Sequence, residues 1–226
     1  MLLFNISNTI LFWVWQVLED PLILMIGGGS FVGKSSVSAI IAGWLHPNNV
    51  VCTDYVREAI RPYVNNNDRR VLDCPTFRAC EAMDCGIQVG VIDGFLFQSR
   101  LLMPSIKGIV KRCLRLGERL IVEGIHLVPS LVLSEIKPSK KVFFCIIEAD
   151  EALIESNMKA SVTNVRRFVP LRDYVRYYDR IVKIYDHIHE DARSTGTRLF
   201  TNINLNDLAE QVVYSCCRER NTKRKL

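Results

Sequence analysis

Apolar residues in this chain follow two rhythms. Leu22-Ile23-Leu24-Met25-Ile26 is an unbroken apolar pentad between Pro21 and three consecutive glycines. A run of strand length without alternation predicts a central strand covered on both faces. From Lys34 to Leu45, by contrast, Val37, Ile40, Ile41 and Trp44/Leu45 recur at helical spacing, and His46-Pro47-Asn48-Asn49 ends the helix with turn chemistry. The two rhythms then alternate. Strands are expected at 50–53, 120–123, 142–147 and 198–201, and helices at 55–63, 151–160, 171–192 and 205–217. Residues 65–68 (NNND) read as a loop, and 76–116 as mostly helical, with Gly94 and Pro104 as boundaries or kinks.

Strands that alternate with helices imply right-handed crossovers, a mostly parallel five-stranded sheet with helices on both faces, and ligands bound beyond the carboxyl ends of the strands. The fold class expected is therefore α/β. No internal repeat or low-complexity tract interrupts it. Residues 1–18 carry no charge, which invites a membrane-anchor reading. The stretch lacks a basic leader and a small-residue cleavage site, contains Asn5, Ser7, Asn8, Thr9 and Gln16, and is read as an extra packed helix or strand. The organisation expected is an apolar segment at 1–20, one domain at 21–217 and a basic tail at 218–226.

Composition changes this picture little. Hydrophobic residues make up 49% and charged residues 23% of the 226 positions, enough for a full core without staples. The formal charge of +5 is concentrated at the end: five basic residues and one acidic one from Arg218 onward contribute +4, leaving about +1 for the rest. A nearly neutral body argues against a nucleic-acid partner. The eight cysteines show no Cys-x-x-Cys spacing and several lie in apolar runs, which fits reduced thiols in a cytoplasmic protein better than disulfides or a zinc site.

Chemistry enters at Gly28-Gly29-Ser30-Phe31-Val32-Gly33-Lys34-Ser35, which satisfies G-x-x-x-x-G-K-[ST] between an apolar strand and an amphipathic helix. In that context backbone amides from Gly28 to Ser36 can wrap the phosphates of ATP, the helix start presents free N–H groups, Lys34 reaches the β and γ phosphates, and the Ser35 hydroxyl faces Mg²⁺. Phe31 stands where many such loops have a small residue, so its side chain is expected to point away from the phosphates.

Further along, Asp54, Arg57, Glu58 and Arg61 share one helix face. Asp54 can orient or deprotonate an acceptor hydroxyl while Arg57 binds an anionic group; the alternative is an N-cap with solvated ion pairs. Glu123 ends the strand Ile121-Val122-Glu123 at the active edge, placed to hold the Mg²⁺ shell or to anchor the phosphate loop. His126 reads either as a substrate contact or as structural. His187 and His189 point apart on a helix and are read as solvated. Arg166 and Arg167 are candidates for lid cations on the transferring phosphoryl group, or an ordinary solvated loop.

The segments GGGSFVGKSS, TDYVREAIRPY, IDGFLFQS and IVEGIHLVP occur in this order, and so does a tyrosine-rich DYVRYYDRIVKIYDHI. On these the chain resembles the 2-phosphoglycerate kinase family, and the related domain of plant low-phytic-acid proteins, from residue 22 to 202. The resemblance implies a nucleoside-kinase-like P-loop NTPase. Its implied reaction moves the γ-phosphoryl group of ATP, with Mg²⁺, to a small phosphorylated metabolite. The leading acceptor is 2-phosphoglycerate, giving 2,3-bisphosphoglycerate, with an inositol phosphate next. By position, Thr53, Asp54 and Arg57 match the family's T-D-x-x-R, Gly94, Phe95 and Gln98 its G-F-x-x-Q, and Glu123, Gly124 and His126 its E-G-x-H, which adds Gln98 and His126 to the substrate-binding candidates. Two departures stand out: Phe31 replaces a usual glycine, and Ile154-Glu155-Ser156-Asn157-Met158 lacks the histidine and arginine expected where the lid helix begins. A nucleotide-binding regulator with a degraded lid is the competing reading.

Overall fold

The computed structural model of the chain describes residues 22–83, 89–163 and 171–222. Five strands form one sheet: β1 (Ile23–Gly27), β2 (Asn49–Cys52), β3 (Leu120–Glu123), β4 (Val142–Glu148) and β5 (Arg198–Thr201). Their spatial order is β2-β3-β1-β4-β5, and every pairing is parallel.

Burial follows from the pleat. In β1, Ile23 and Met25 join one core cluster and Leu24 and Ile26 the other; in β4, Val142, Phe144 and Ile146 face the first and Phe143, Cys145 and Ile147 the second. Successive side chains in a strand point to opposite faces. An unbroken apolar run therefore requires cover on both sides, which the helices give. On the first face lie α4 (Val91–Leu116), α5 (Pro129–Glu135) and α8 (Tyr178–Thr195); on the second, α1 (Lys34–Leu45), α6 (Glu151–Thr163) and α9 (Leu205–Thr222). Three short helices, α2 (Thr53–Ile60), α3 (Asn66–Asp73) and α7 (Leu171–Arg176), together with 3₁₀ turns at Arg61–Tyr63 and Thr76–Ala82, build the region beyond the carboxyl edge.

Some boundaries differ from expectation. Residues 65–68 open a helix instead of forming a loop, because the Asn65 side chain accepts from the amides of Asn67 and Asp68 at 3.0 Å each and caps α3. Gly94 and Pro104 both lie inside α4, whose N-cap is Gly90. Gly94 instead permits close approach: a Cβ there would meet the backbone nitrogen of Cys80, so glycine lets the Thr76–Ala82 turn lie directly on α4. The segment expected as one helix at 171–192 breaks at Tyr177, between α7 and α8. Among the described residues no helix is long and apolar enough to cross a membrane.

Candidate active site

Register places the chemistry. Glu123 stands opposite Ile26 on one side and Cys52 on the other, so the last residue of β3 lies beside the start of the glycine loop and the end of β2. Beyond β1 the backbone turns through Gly28 (φ 138°) and Gly33 (φ 96°), and Gly33 caps α1 without any side-chain hydrogen bond. Side chains would be blocked at both positions. A Cβ on Gly28 would meet the Ile147 carbonyl oxygen, and one on Gly33 the Asn202 amide at 2.6 Å.

Phe31 also lies in the left-handed region, at φ 66°, a conformation that costs an L-residue about 1 kcal/mol or more. Its surroundings hold it there. The ring packs edge-on against Tyr174 with centroids 5.1 Å apart, and its carbonyl accepts from Asn157 Nδ2 at 2.7 Å. The Val32 carbonyl accepts from Asn202 Nδ2 at 2.8 Å. Two asparagines from different elements thus turn consecutive loop carbonyls outward. Residues 154–158, which lack the expected lid histidine and arginine, serve as a docking face: Ile154 and Met158 are buried and Asn157 reaches the loop.

The two residues expected at the metal come together. Ser35 Oγ donates to Glu123 Oε1 at 3.0 Å. Lys34 is nearly buried and its Nζ donates to the Gly29 carbonyl at 2.6 Å. Burial, then the charge of Glu123, pushes the neighbouring Cys52 thiol up to about 12, so it stays protonated beside the carboxylate. Ser35 and Glu123 are hard oxygen donors, and Mg²⁺ is held by one or two such groups plus phosphates and waters; the residues present fit that ion.

Asp54 and Arg57 open onto the same cleft, which has a volume of about 940 Å³ and is also lined by Lys34, Ser35 and Glu123. Asp54 Oδ1 lies 3.4 Å from Arg57 Nη1, and Glu58 holds Nη2 at 3.3 Å. The Arg57 side chain is only 16% exposed, and its Nε is buried without a partner among the described residues.

Gln98 and His126 are placed differently from the expectation of substrate contact: both are fully buried behind the cleft wall. Gln98 Nε2 donates to the carbonyls of Val71 (2.9 Å) and Cys74 (3.1 Å), which fixes its oxygen toward His126 Nε2 at 3.0 Å. That oxygen needs a donor, so His126 carries its proton on Nε2 and its Nδ1 accepts from the Thr53 hydroxyl at 3.0 Å. Burial lowers the His126 pKa to about 4, so the ring is neutral at pH 7. Gly124 (φ 153°) makes the contact possible, because a Cβ there would overlap Thr53 Oγ1. The network ties the ends of β2 and β3 to α3 and α4 and so positions Asp54 and Arg57. Arg166 and Arg167 lie outside the described residues, as does the segment 1–20.

Sequence reasoning missed Asn157, Asn202 and Tyr174. Asn202 follows β5 directly at the carboxyl edge, and that position was the available signal.

The parallel sheet and the strand–glycine loop–helix at its carboxyl edge define the fold of the P-loop kinases. It is shared with the solved shikimate kinase of Acinetobacter baumannii, with a TM-score of 0.55 and 10% identity over 91% of this chain and 98% of that one. No protein-family model matches the chain. Within that class the chain is similar to the archaeal 2-phosphoglycerate kinases. It is 30% identical to that of Methanopyrus kandleri over 86% of its own length, and spans 60% of the length of that relative. It is also 27% identical to the mevalonate-3-phosphate 5-kinase of Thermoplasma acidophilum, over 79% of this chain and 87% of that protein.

Proposed function

We propose that the chain is an ATP-dependent small-molecule kinase, with residues 21–217 as the kinase domain, acting in the cytoplasm on an acceptor that already carries phosphate. The leading acceptor is 2-phosphoglycerate, with 2,3-bisphosphoglycerate as product. The observation that carries this reading is the convergence in one cleft of Lys34 on its glycine loop, the Ser35–Glu123 pair at 3.0 Å and the Asp54–Arg57 pair. Both kinds of relative are named for an acceptor that already bears phosphate, which supports that part of the proposal.

In this reading the loop amides and Lys34 hold the β and γ phosphates. Ser35 and Glu123 hold Mg²⁺, which when bound neutralises charge on the phosphates. Asp54 orients the acceptor hydroxyl and accepts its proton as that oxygen bonds to the γ-phosphorus and the bond to the ADP oxygen breaks. Arg57, which lines the cleft, binds an anionic group of the acceptor through its guanidinium. The reading is tested by coupled assay of ADP release with 2-phosphoglycerate, mevalonate 3-phosphate and inositol phosphates. Acceptor-dependent turnover is expected, and ATP binding without turnover on any acceptor would favour the nucleotide-binding regulator.

A further inference from the structure

Three arginines close on one ring where α7 meets α8. The guanidinium carbons of Arg78, Arg176 and Arg180 lie 5.4, 5.5 and 4.9 Å from the centroid of Tyr177. A guanidinium attracted to an aromatic ring is held in place while keeping in-plane N–H groups available to a further partner. Glu81 orients two of the three, accepting from Arg78 Nε and Arg180 Nη1 at 2.7 Å each. Among the described residues it is the one carboxylate paired with the cluster, so two positive charges are left over.

The cluster adjoins the cleft through two residues that line it, Phe77 and Tyr174. Arg180 also donates to the Phe77 carbonyl at 3.4 Å, and the Phe77 ring touches Tyr177 at 5.5 Å and Tyr174 at 5.9 Å. Phe77 and Tyr174 line the cleft with Arg57, and Cys74 lies within electrostatic reach of both Arg57 and Arg78. The Arg78 and Arg180 side chains are 41% and 32% exposed, so an anion can reach them.

We propose that Arg78, Arg176 and Arg180, arrayed around Tyr177, bind the phosphate that the acceptor brings with it, while Arg57 binds nearer the reacting hydroxyl. This rests on the reading of the chain as a kinase of phosphorylated acceptors. A phosphomonoester carries a charge of about −1.5 to −2 at pH 7 and three acceptor oxygens, which matches the surplus charge and the several forked donors of the cluster better than a lone carboxylate would.

The test is equilibrium binding of 2-phosphoglycerate, glycerate and Mg·ATP to the full chain and to Arg78→Gln, Arg176→Gln and Arg176→Lys, with transfer from ATP measured alongside. Each glutamine variant is expected to weaken 2-phosphoglycerate about tenfold or more and to leave Mg·ATP unchanged, with partial recovery in Arg176→Lys. A general loss of folding would weaken Mg·ATP as well, so its retention separates a binding role from a structural one. Unchanged 2-phosphoglycerate binding in the glutamine variants, or none in the wild type, overturns the site even if transfer from ATP persists on another acceptor. Selective loss of 2-phosphoglycerate binding in a protein that transfers to no acceptor would uphold the anion site and sink the kinase reading.

Discussion

Lys34 is nearly buried and turned onto a carbonyl of its own loop, and the proposed function gives its charge to the phosphates of ATP. Lys34→Ala is expected to weaken Mg·ATP binding at least tenfold while the urea midpoint moves little; equal ATP binding by both proteins would remove the basis of the functional reading. Asp54 and Glu123 should fail in different ways. Asp54→Asn should lower kcat by roughly 10² or more with little change in ATP affinity, because the acceptor hydroxyl loses its partner mainly in the transition state. Glu123→Gln should instead raise the Mg²⁺ concentration needed for half-maximal rate. Wild-type rates for both variants at limiting Mg²⁺ would contradict both roles. Gly124→Ala would force a methyl group onto Thr53, whose Cβ lies 2.7 Å from the added carbon, at φ 153°. A loss of about 2 kcal/mol or more in urea-induced unfolding is expected, and an unchanged midpoint would show that the Thr53–His126 lock is not tight.

At the level of elements, the glycine loop is held from two sides, by Asn157 on α6 and Asn202 after β5. Asn202→Asp keeps the shape but removes the donor to the Val32 carbonyl, and leaving a buried carbonyl unpaired costs about 1–3 kcal/mol. ATP affinity measured by titration should fall about tenfold, whereas tight ATP binding by this variant would show that the loop holds its form unaided. The strands, the glycine loop and α1 were legible because apolar periodicity and glycine spacing are local properties. The helix at Asn66–Asp73 was not, since only the Asn65 cap distinguishes it from a polar loop. Nor could spacing show that Gly94 packs on Cys80, a contact made through space between segments whose packing no local pattern encodes.

For the molecule as a whole, the site residues divide into those that face the cleft and those that hold its walls. Lys34 and Ser35 were placed at the carboxyl edge by the glycine-loop spacing, and Asp54, Arg57 and Glu123 by a helix face and a strand end, whereas His126 shares a motif with the cleft residues Glu123 and Gly124 yet lies behind them, as does Gln98. A motif does not say which of its side chains turn inward. Burial holds His126 neutral with a pKa of about 4, below the ordinary 6.5. The unfolded chain therefore binds a proton there that the native state does not, and stability contributed by the neutral ring is full above about pH 6.5 and lost as pH falls toward 4. Urea midpoints measured from pH 7.5 to 4.5 should decline through this window, and His126→Gln should flatten that part of the decline.

The central claim is that the cleft moves the γ-phosphoryl group of ATP to a small phosphorylated acceptor, and transfer from γ-labelled ATP measures it most directly. With Mg²⁺ present and 2-phosphoglycerate, mevalonate 3-phosphate and inositol phosphates offered in turn, label should appear in at least one acceptor product and disappear from it in Lys34→Ala. Label that stays in ATP with every acceptor, in a protein that binds Mg·ATP, would contradict the account.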